Sequence, residues 1–235
     1  MLKLQDLTKR YDSGFQLGPI NLELSAGATV AVFGKNGAGK STLFSIVTGN
    51  ADRTSGQAYW HNHKISPDAV DLKRQMGYLP QESDLPAWVT PLEIIRWNAT
   101  LHKLTEADVQ RTLDTWDASS WAQRPLTTCS HGMQKRIGLA LATMHDPDLL
   151  ILDEAFNALD ILHTKTLEML VQSRSERKKT TLISTHTPWI AASLCETAWI
   201  LESGQLQILT SWQSAKVEAR VKLIEDQFFR RGLPK

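Results

Sequence analysis

The sequence predicts an α/β domain whose core is a parallel sheet, with a small antiparallel β layer at its N-terminal end and an inserted helical subdomain. Three observations predict it. The apolar run Val30-Ala31-Val32-Phe33 passes through a glycine-rich turn straight into a helical pattern, the strand–turn–helix order of an α/β unit. Two later runs, Leu149–Leu152 and Thr181–Ser184, are short, continuous and apolar, as strands covered on both faces of a parallel sheet are. Between the first run and these two, residues 82–146 change character: Pro86 and Pro91 punctuate, and mostly polar stretches with Leu and Trp at helical spacing follow.

The chain of 235 residues is 42% apolar, enough for one large α/β domain with a sizeable core. Its net charge is +1 with acids and bases interleaved, so no nucleic-acid groove is expected along it. Cys129 and Cys195 lie far apart without C-x-x-C spacing, which favours neither a disulfide framework nor a zinc site. The start, Met1-Leu2-Lys3-Leu4-Gln5-Asp6, is too polar for a signal peptide. No window approaches the about 18 uninterrupted apolar residues of a membrane span, so the polypeptide is not expected to cross a membrane by itself.

Taken in order, Leu2 to Thr29 reads as short strands joined by turns at Gly14, Gly18-Pro19 and Ala26-Gly27. Gln57–His61 and Lys64-Ile65 read as a hairpin turning at Asn62-His63. The last element, over 212–229, carries Val217, Val221, Ile224 and Phe228 on one helical face. Packing of this helix onto the domain, a partner or dimer contact, and membrane-surface binding are its possible roles. The whole reads as one domain, 1–235, with 82–146 as its inserted subdomain.

Function begins with Gly34-Lys35-Asn36-Gly37-Ala38-Gly39-Lys40-Ser41-Thr42, which has the full pattern of a phosphate-binding P-loop. The glycines allow a nest of backbone N–H groups around the phosphates, Lys40 adds a point charge, and the Ser41 hydroxyl suits Mg2+. Leu43, Phe44, Ile46 and Val47 continue as a helix until Gly49-Asn50, so a helix N-terminus faces the anion. A nucleoside-triphosphate site on a P-loop NTPase core is therefore expected. The strand Leu149–Leu152 ends in two adjacent carboxylates, Asp153 and Glu154, the Walker B pattern: Asp153 is placed to hold Mg2+ and Glu154 to polarise the attacking water.

With these in hand, Cys129-Ser130-His131-Gly132-Met133-Gln134-Lys135-Arg136 resembles the signature of ABC ATPases. Tyr78-Leu79-Pro80-Gln81-Glu82 resembles the Q-loop, Ala155–Asp160 the D-loop, and Ile183-Ser184-Thr185-His186 the segment with the switch histidine. Tyr11 resembles the aromatic that stacks on adenine, though packing is its ordinary alternative. The resemblance covers nearly the whole chain and implies an ATP-binding subunit of an ABC transporter that hydrolyses ATP to ADP and phosphate. Two such domains would close head to tail, as a homodimer or heterodimer, over two ATP and two Mg2+. The P-loop residues and Tyr11 would bind one nucleotide, Ser130 and Gly132 would reach the γ-phosphate in trans, and Asp160 would bridge the protomers. Gln81 would touch Mg2+ and water, and His186 the γ-phosphate and Glu154. Transmembrane permease subunits would be the partners and would hold the chain at the cytoplasmic face of the plasma membrane.

Departures bear on the details. His131 stands where the family has glycine, either facing the opposing phosphate or pointing away, and Met133 stands where it has glutamine. Ser-x-Gly-Met forms resemble those of ATPases serving export-type permeases, which points to export. Trp88 and Trp97 lie in the region that receives the permease's coupling helix, as docking anchors or as packing of the insertion. An acidic residue near 191 and an arginine near 197, frequent in the family, are here Ala191 and Thr197. The rival reading is an ABC ATPase of translation or DNA repair. It lacks the paired domains, long coiled-coil insertion or basic face such proteins carry.

Overall fold

A computed structural model describes residues 1–82 and 84–229, with side chains through Gln227. β1 (Leu2–Arg10) and β2 (Gln16–Leu24) pair antiparallel from Leu2–Leu24 to Arg10–Gln16, so the N-terminal segment is two long strands rather than several short ones. Gly18-Pro19, read from sequence as a turn, lies inside β2. Gly18 takes a left-handed φ of 87° beside two register shifts, and this bulge absorbs the dipeptide without ending the strand.

β3 (Thr29–Phe33) leads through the glycine-rich turn into α1 (Lys40–Val47). β4 (Ser55–Trp60) pairs with the other edge of β1, and β5 (His63–Lys64) completes a four-stranded antiparallel sheet, β2-β1-β4-β5. The hairpin turn is His61–Asn62, one residue earlier than expected; both have positive φ, 47° and 67°, as a type I′ turn requires.

After α2 (Val70–Lys73) and β6 (Met76–Leu79), the insertion supplies α3 (Pro91–Leu101), α4 (Glu106–Thr115) and α5 (His131–Thr143). Thr90 with Glu93 and Thr105 with Asp108 form capping boxes that fix where α3 and α4 start. The sheet resumes with β7 (Leu149–Asp153), α6 (Ile161–Glu176), β8 (Thr180–Ser184), α7 (Pro188–Leu194), β9 (Thr197–Glu202) and β10 (Gln205–Ile208). Its order is β10-β9-β3-β8-β7-β6, parallel except for β10. Every residue of β3, β7 and β8 is buried, because both faces are covered. One core joins the sheet to α1 and the antiparallel layer; the other joins it to the insertion through Ile95, Leu113, Trp116, Trp121 and Ile137.

Trp88 and Trp97 do not pack the insertion: they are 79% and 66% exposed. The C-terminal helix, α8 (Val217–Phe229), starts five residues later than the 212 expected. Trp212 sits instead in a buried turn, its indole Nε1 donating to Cys195 O at 3.0 Å. The Arg220 guanidinium lies over the Trp212 ring and donates to Ala192 O and Cys195 O, which packs α8 back onto the domain. Of the expected apolar face, Ile224 is buried and Val217 and Val221 are half-buried; the side chain of Phe228 lies outside the described residues.

Candidate functional site

Adjacent parallel strands β3, β8 and β7 bring their carboxyl ends together, and in such sheets this is where a ligand crevice forms. β3 delivers the P-loop. Gly37 and Gly39 take positive φ, 78° and 106°, and Gly39 is the N-cap of α1, so the first N–H groups of the helix are left without helical acceptors. Lys35, Asn36 and Gly37 are exposed while Gly34, Ala38 and Lys40 are buried. Lys40 Nζ folds back into the loop, donating to Gly34 O at 2.7 Å and Lys35 O at 3.4 Å. Buried and with no carboxylate at ion-pair distance among the described residues, this ammonium is held by carbonyls that an anion could replace.

β7 delivers the carboxylates. Ser41 Oγ donates to Asp153 Oδ2 at 2.7 Å, and Ser184, at the end of β8 and opposite Asp153 in register, donates to Asp153 Oδ1. Glu154 follows at φ 51°, a left-handed conformation uncommon for a side chain of this kind, with its N–H satisfied by Ser184 Oγ at 2.9 Å. His186 Nε2 lies 3.0 Å from Glu154 Oε1 without hydrogen-bond alignment, and Asn157 Nδ2 donates weakly to Oε2 at 3.3 Å. Burial raises the Glu154 carboxyl above the ordinary glutamate range, against the pull of His186 and Lys40. A buried, under-bonded carboxylate beside a half-exposed imidazole suits proton transfer.

The remaining expected residues divide. Tyr11 is 42% exposed at the rim, its hydroxyl 3.3 Å from Thr42 Oγ1 and its ring tilted toward Phe15. The side chain of Gln81 is exposed and makes no hydrogen bond among the described residues; its carbonyl accepts from Lys135 Nζ at 3.3 Å. Ser130 caps α5, accepting from Met133 N at 3.3 Å, with His131 exposed in the first turn. Asp160 caps α6, accepting from His163 N at 2.9 Å, while its side chain stays 66% exposed. Ser130, Gly132 and Asp160 thus make their contacts away from the P-loop of the same chain.

The family model described as ABC transporter matches residues 17–157, 60% of the chain. The chain belongs to this family. Lantibiotic transport ATP-binding protein SrtF of Streptococcus pyogenes is 32% identical over 79% of this chain and 80% of its own length. Among solved structures, an ATP-binding subunit of an ABC transporter is 25% identical, with a TM-score of 0.81 over 99% of this chain and 95% of that one. A bacterial ABC transporter cassette, MJ0796, solved as a dimer, is 26% identical, with a TM-score of 0.78 over 89% and 99%.

This ABC transporter subunit binds ATP and is an ATPase of the transport class, which sets aside the translation and repair reading. No helix among the described residues is long and apolar enough to cross a membrane. Several residues at its site lie in the motif segments without being the residue for which the segment was read. Ser184 is an ordinary strand end until the register sets it opposite Asp153. Lys135 is buried at 4% exposure, and desolvation lowers its ammonium below the usual lysine range against the pull of Asp153 and Glu154. Tyr78, among Ser45 and Asp153, is pushed up to about 12, by burial first and the carboxylate second. Lys135 stands between Gln134 and Arg136 in the sequence, and nothing there marks it as the buried one of the three.

Proposed function

We propose that this subunit hydrolyses ATP at a site it shares with a second copy or close relative, and that the motion of closure drives separate transmembrane permease subunits. The observation that carries this reading is one buried strand end presenting Asp153 to P-loop Ser41 and Glu154 to His186. In this reading the phosphates of ATP take the place of the Gly34 and Lys35 carbonyls on Lys40 and receive the N–H groups of Gly37–Thr42, while adenine stacks on Tyr11. Ser41 and Asp153, with Gln81 brought in on closure, are the donors suited to Mg2+, an all-oxygen set of the kind that ion takes. Held by these residues, Mg2+ would supply neutralisation of the negative charge of the phosphates.

Glu154 accepts a proton from the water whose oxygen attacks the γ-phosphorus as the bond to the ADP oxygen breaks. His186 hydrogen-bonds the γ-phosphate and holds Glu154 in place. Ser130 and the N–H of Gly132 of the second copy, at the start of α5, close over the same γ-phosphate, and Asp160 meets that copy. Export is the proposed direction, supported by the Ser130-x-Gly132-Met133 form and by likeness to a lantibiotic transport ATP-binding protein. The permease holds the subunit at the cytoplasmic face, with exposed Trp88 and Trp97 as anchors.

The test is purification from detergent-solubilised membranes. A multi-spanning membrane protein should co-purify in fixed ratio, stimulate ATP hydrolysis, and be lost from the Trp88→Ala, Trp97→Ala double variant. Recovery of an active subunit with no membrane protein would overturn the partnership, and retention by the double variant would overturn the anchors.

A further inference from the structure

Arg136, on the second turn of α5, is anchored in the helical insertion. Its Nη1 donates toward Trp116 O at 3.1 Å, Asp117 O at 3.1 Å and Asp117 Oδ2 at 3.2 Å, and its guanidinium lies 5.1 Å from the centre of the Trp121 ring. The same Nη1 lies 2.9 Å from Nε2 of His163. His163 is buried, and its Nδ1 is 2.7 Å from Oδ1 of Asp160, the exposed D-loop carboxylate. Insertion, signature helix and D-loop are thus joined through one imidazole.

The chemistry of the three groups fixes how that imidazole is used. A guanidinium only donates, so Nε2 facing Arg136 must be an acceptor. The ring is then neutral, with its proton on Nδ1, and donates that proton to Asp160. Nη1 has two protons for four oxygen and nitrogen acceptors, so its bonds are shared, and the one to Nε2 alone leads toward the D-loop. A second contact runs beside the first: a side chain at Gly132 would meet Ala158 O of the D-loop at 2.9 Å, so the start of α5 lies directly on that loop.

We propose that His163 is a positioning residue for the ATPase reaction: it holds Asp160 to Arg136, so that the D-loop and the signature start at Ser130 and Gly132 move as one body with the insertion. The proposal rests on the reading that Ser130 and Gly132 serve a second copy's nucleotide. Under it, displacement of the insertion by a membrane partner is delivered to both trans-acting elements together. Rings that donate on one side and accept on the other are interchangeable with a side-chain amide, which has both functions, and not with an apolar isostere.

Two measurements test it. In the intact chain, long-range 1H–15N correlation of the imidazoles, with His163→Gln assigning the signal, should report a neutral ring protonated on Nδ1. A proton on Nε2, or a doubly protonated ring at neutral pH, overturns the relay. In a Glu154→Gln background, ATP-driven dimerisation is followed by sedimentation while a fluorescent ATP analogue is titrated against the monomer. His163→Leu should leave monomer affinity within about twofold and raise the dimer dissociation constant about tenfold or more, as loss of a charge-assisted hydrogen bond implies. His163→Gln should recover most of that loss. Unchanged dimerisation of His163→Leu, or equal failure of the Leu and Gln variants, overturns the proposal. If the Glu154→Gln parent does not dimerise at all, the shared-site reading falls instead, and the imidazole spectrum still decides the relay.

Discussion

Ser184 Oγ donates to Asp153 Oδ1 and accepts the backbone N–H of Glu154 in the same breath of structure, so one hydroxyl at the end of β8 sets both carboxylates at the end of β7. Asp153 is fully buried, and its two oxygens are shared between Ser184 and the P-loop residue Ser41. Glu154 turns through a left-handed φ immediately afterwards, and the bond to Ser184 helps hold that turn.

Ser184→Ala should therefore act on stability and turnover together. It leaves the Glu154 N–H and one Asp153 oxygen unsatisfied in a buried place, a loss of about 1–3 kcal/mol. A chain of this size should lose about 2–4 °C of melting temperature per kcal/mol, and phosphate release should fall at least about tenfold as Glu154, the carboxylate proposed to accept the proton, loses its orientation. Calorimetry and a phosphate-release assay check both; full activity with an unchanged melt would remove Ser184 from the site.

Glu154→Gln should lower turnover by about 10²- to 10⁴-fold, the usual cost of losing a proton acceptor, while ATP binding survives and an ATP-bound dimer accumulates. Sedimentation with ATP and single-turnover hydrolysis measure the two effects. Near-normal turnover would assign the proton to another group.

The same substitution makes a prediction about pH. Burial raises the Glu154 carboxyl in the folded state, so the folded chain holds that proton to higher pH than the unfolded chain does. The favourable contribution of the neutral form is complete below the unfolded value and is lost as pH rises through the raised folded value. Glu154→Gln, neutral at every pH, should then melt higher than the parent at pH 7.5, by about 2–4 °C for each kcal/mol of burial cost removed. The difference should shrink toward pH 4. A parent that is the more stable at pH 7.5 would mean that His186 and Lys40 outweigh burial.

Lys40→Ala and Ser130→Arg should separate the two halves of the site. Lys40 is buried within the P-loop, so its loss should weaken ATP binding by a single protomer at least about a hundredfold, the scale of a lost charge-assisted contact. Ser130 caps α5 away from that loop, so arginine there should leave monomer binding intact and block the dimer. Titration of a fluorescent ATP analogue against each variant decides; equal loss in both would argue against action in trans.

Much of this was legible in the chain order, and the reason is locality. A glycine run between an apolar strand and a helix, and two acids ending an apolar run, are readable as the P-loop and Walker B patterns because each is built from consecutive residues. The parallel strands follow from short continuous apolar runs, and the inserted helices from helical spacing, in the same way. Gly18-Pro19 misled because a bulge and a turn use the same residues, and only the pairing of β1 with β2 tells them apart. The exposure of Trp88 and Trp97 is not legible in the sequence because a tryptophan in or beside a helical insertion fits a core and a docking face alike.

The sequence by itself determined the fold class, the phosphate loop and the adjacent carboxylates of this protein. The tertiary structure alone decided who else stands beside them: Ser184 against Asp153 across 31 residues of chain, and His163 between Arg136 and Asp160. Such neighbours are set by strand order and register, which depend on how whole elements pack. A hydroxyl at the end of one strand has no mark in the sequence of the carboxylate it will meet on the next.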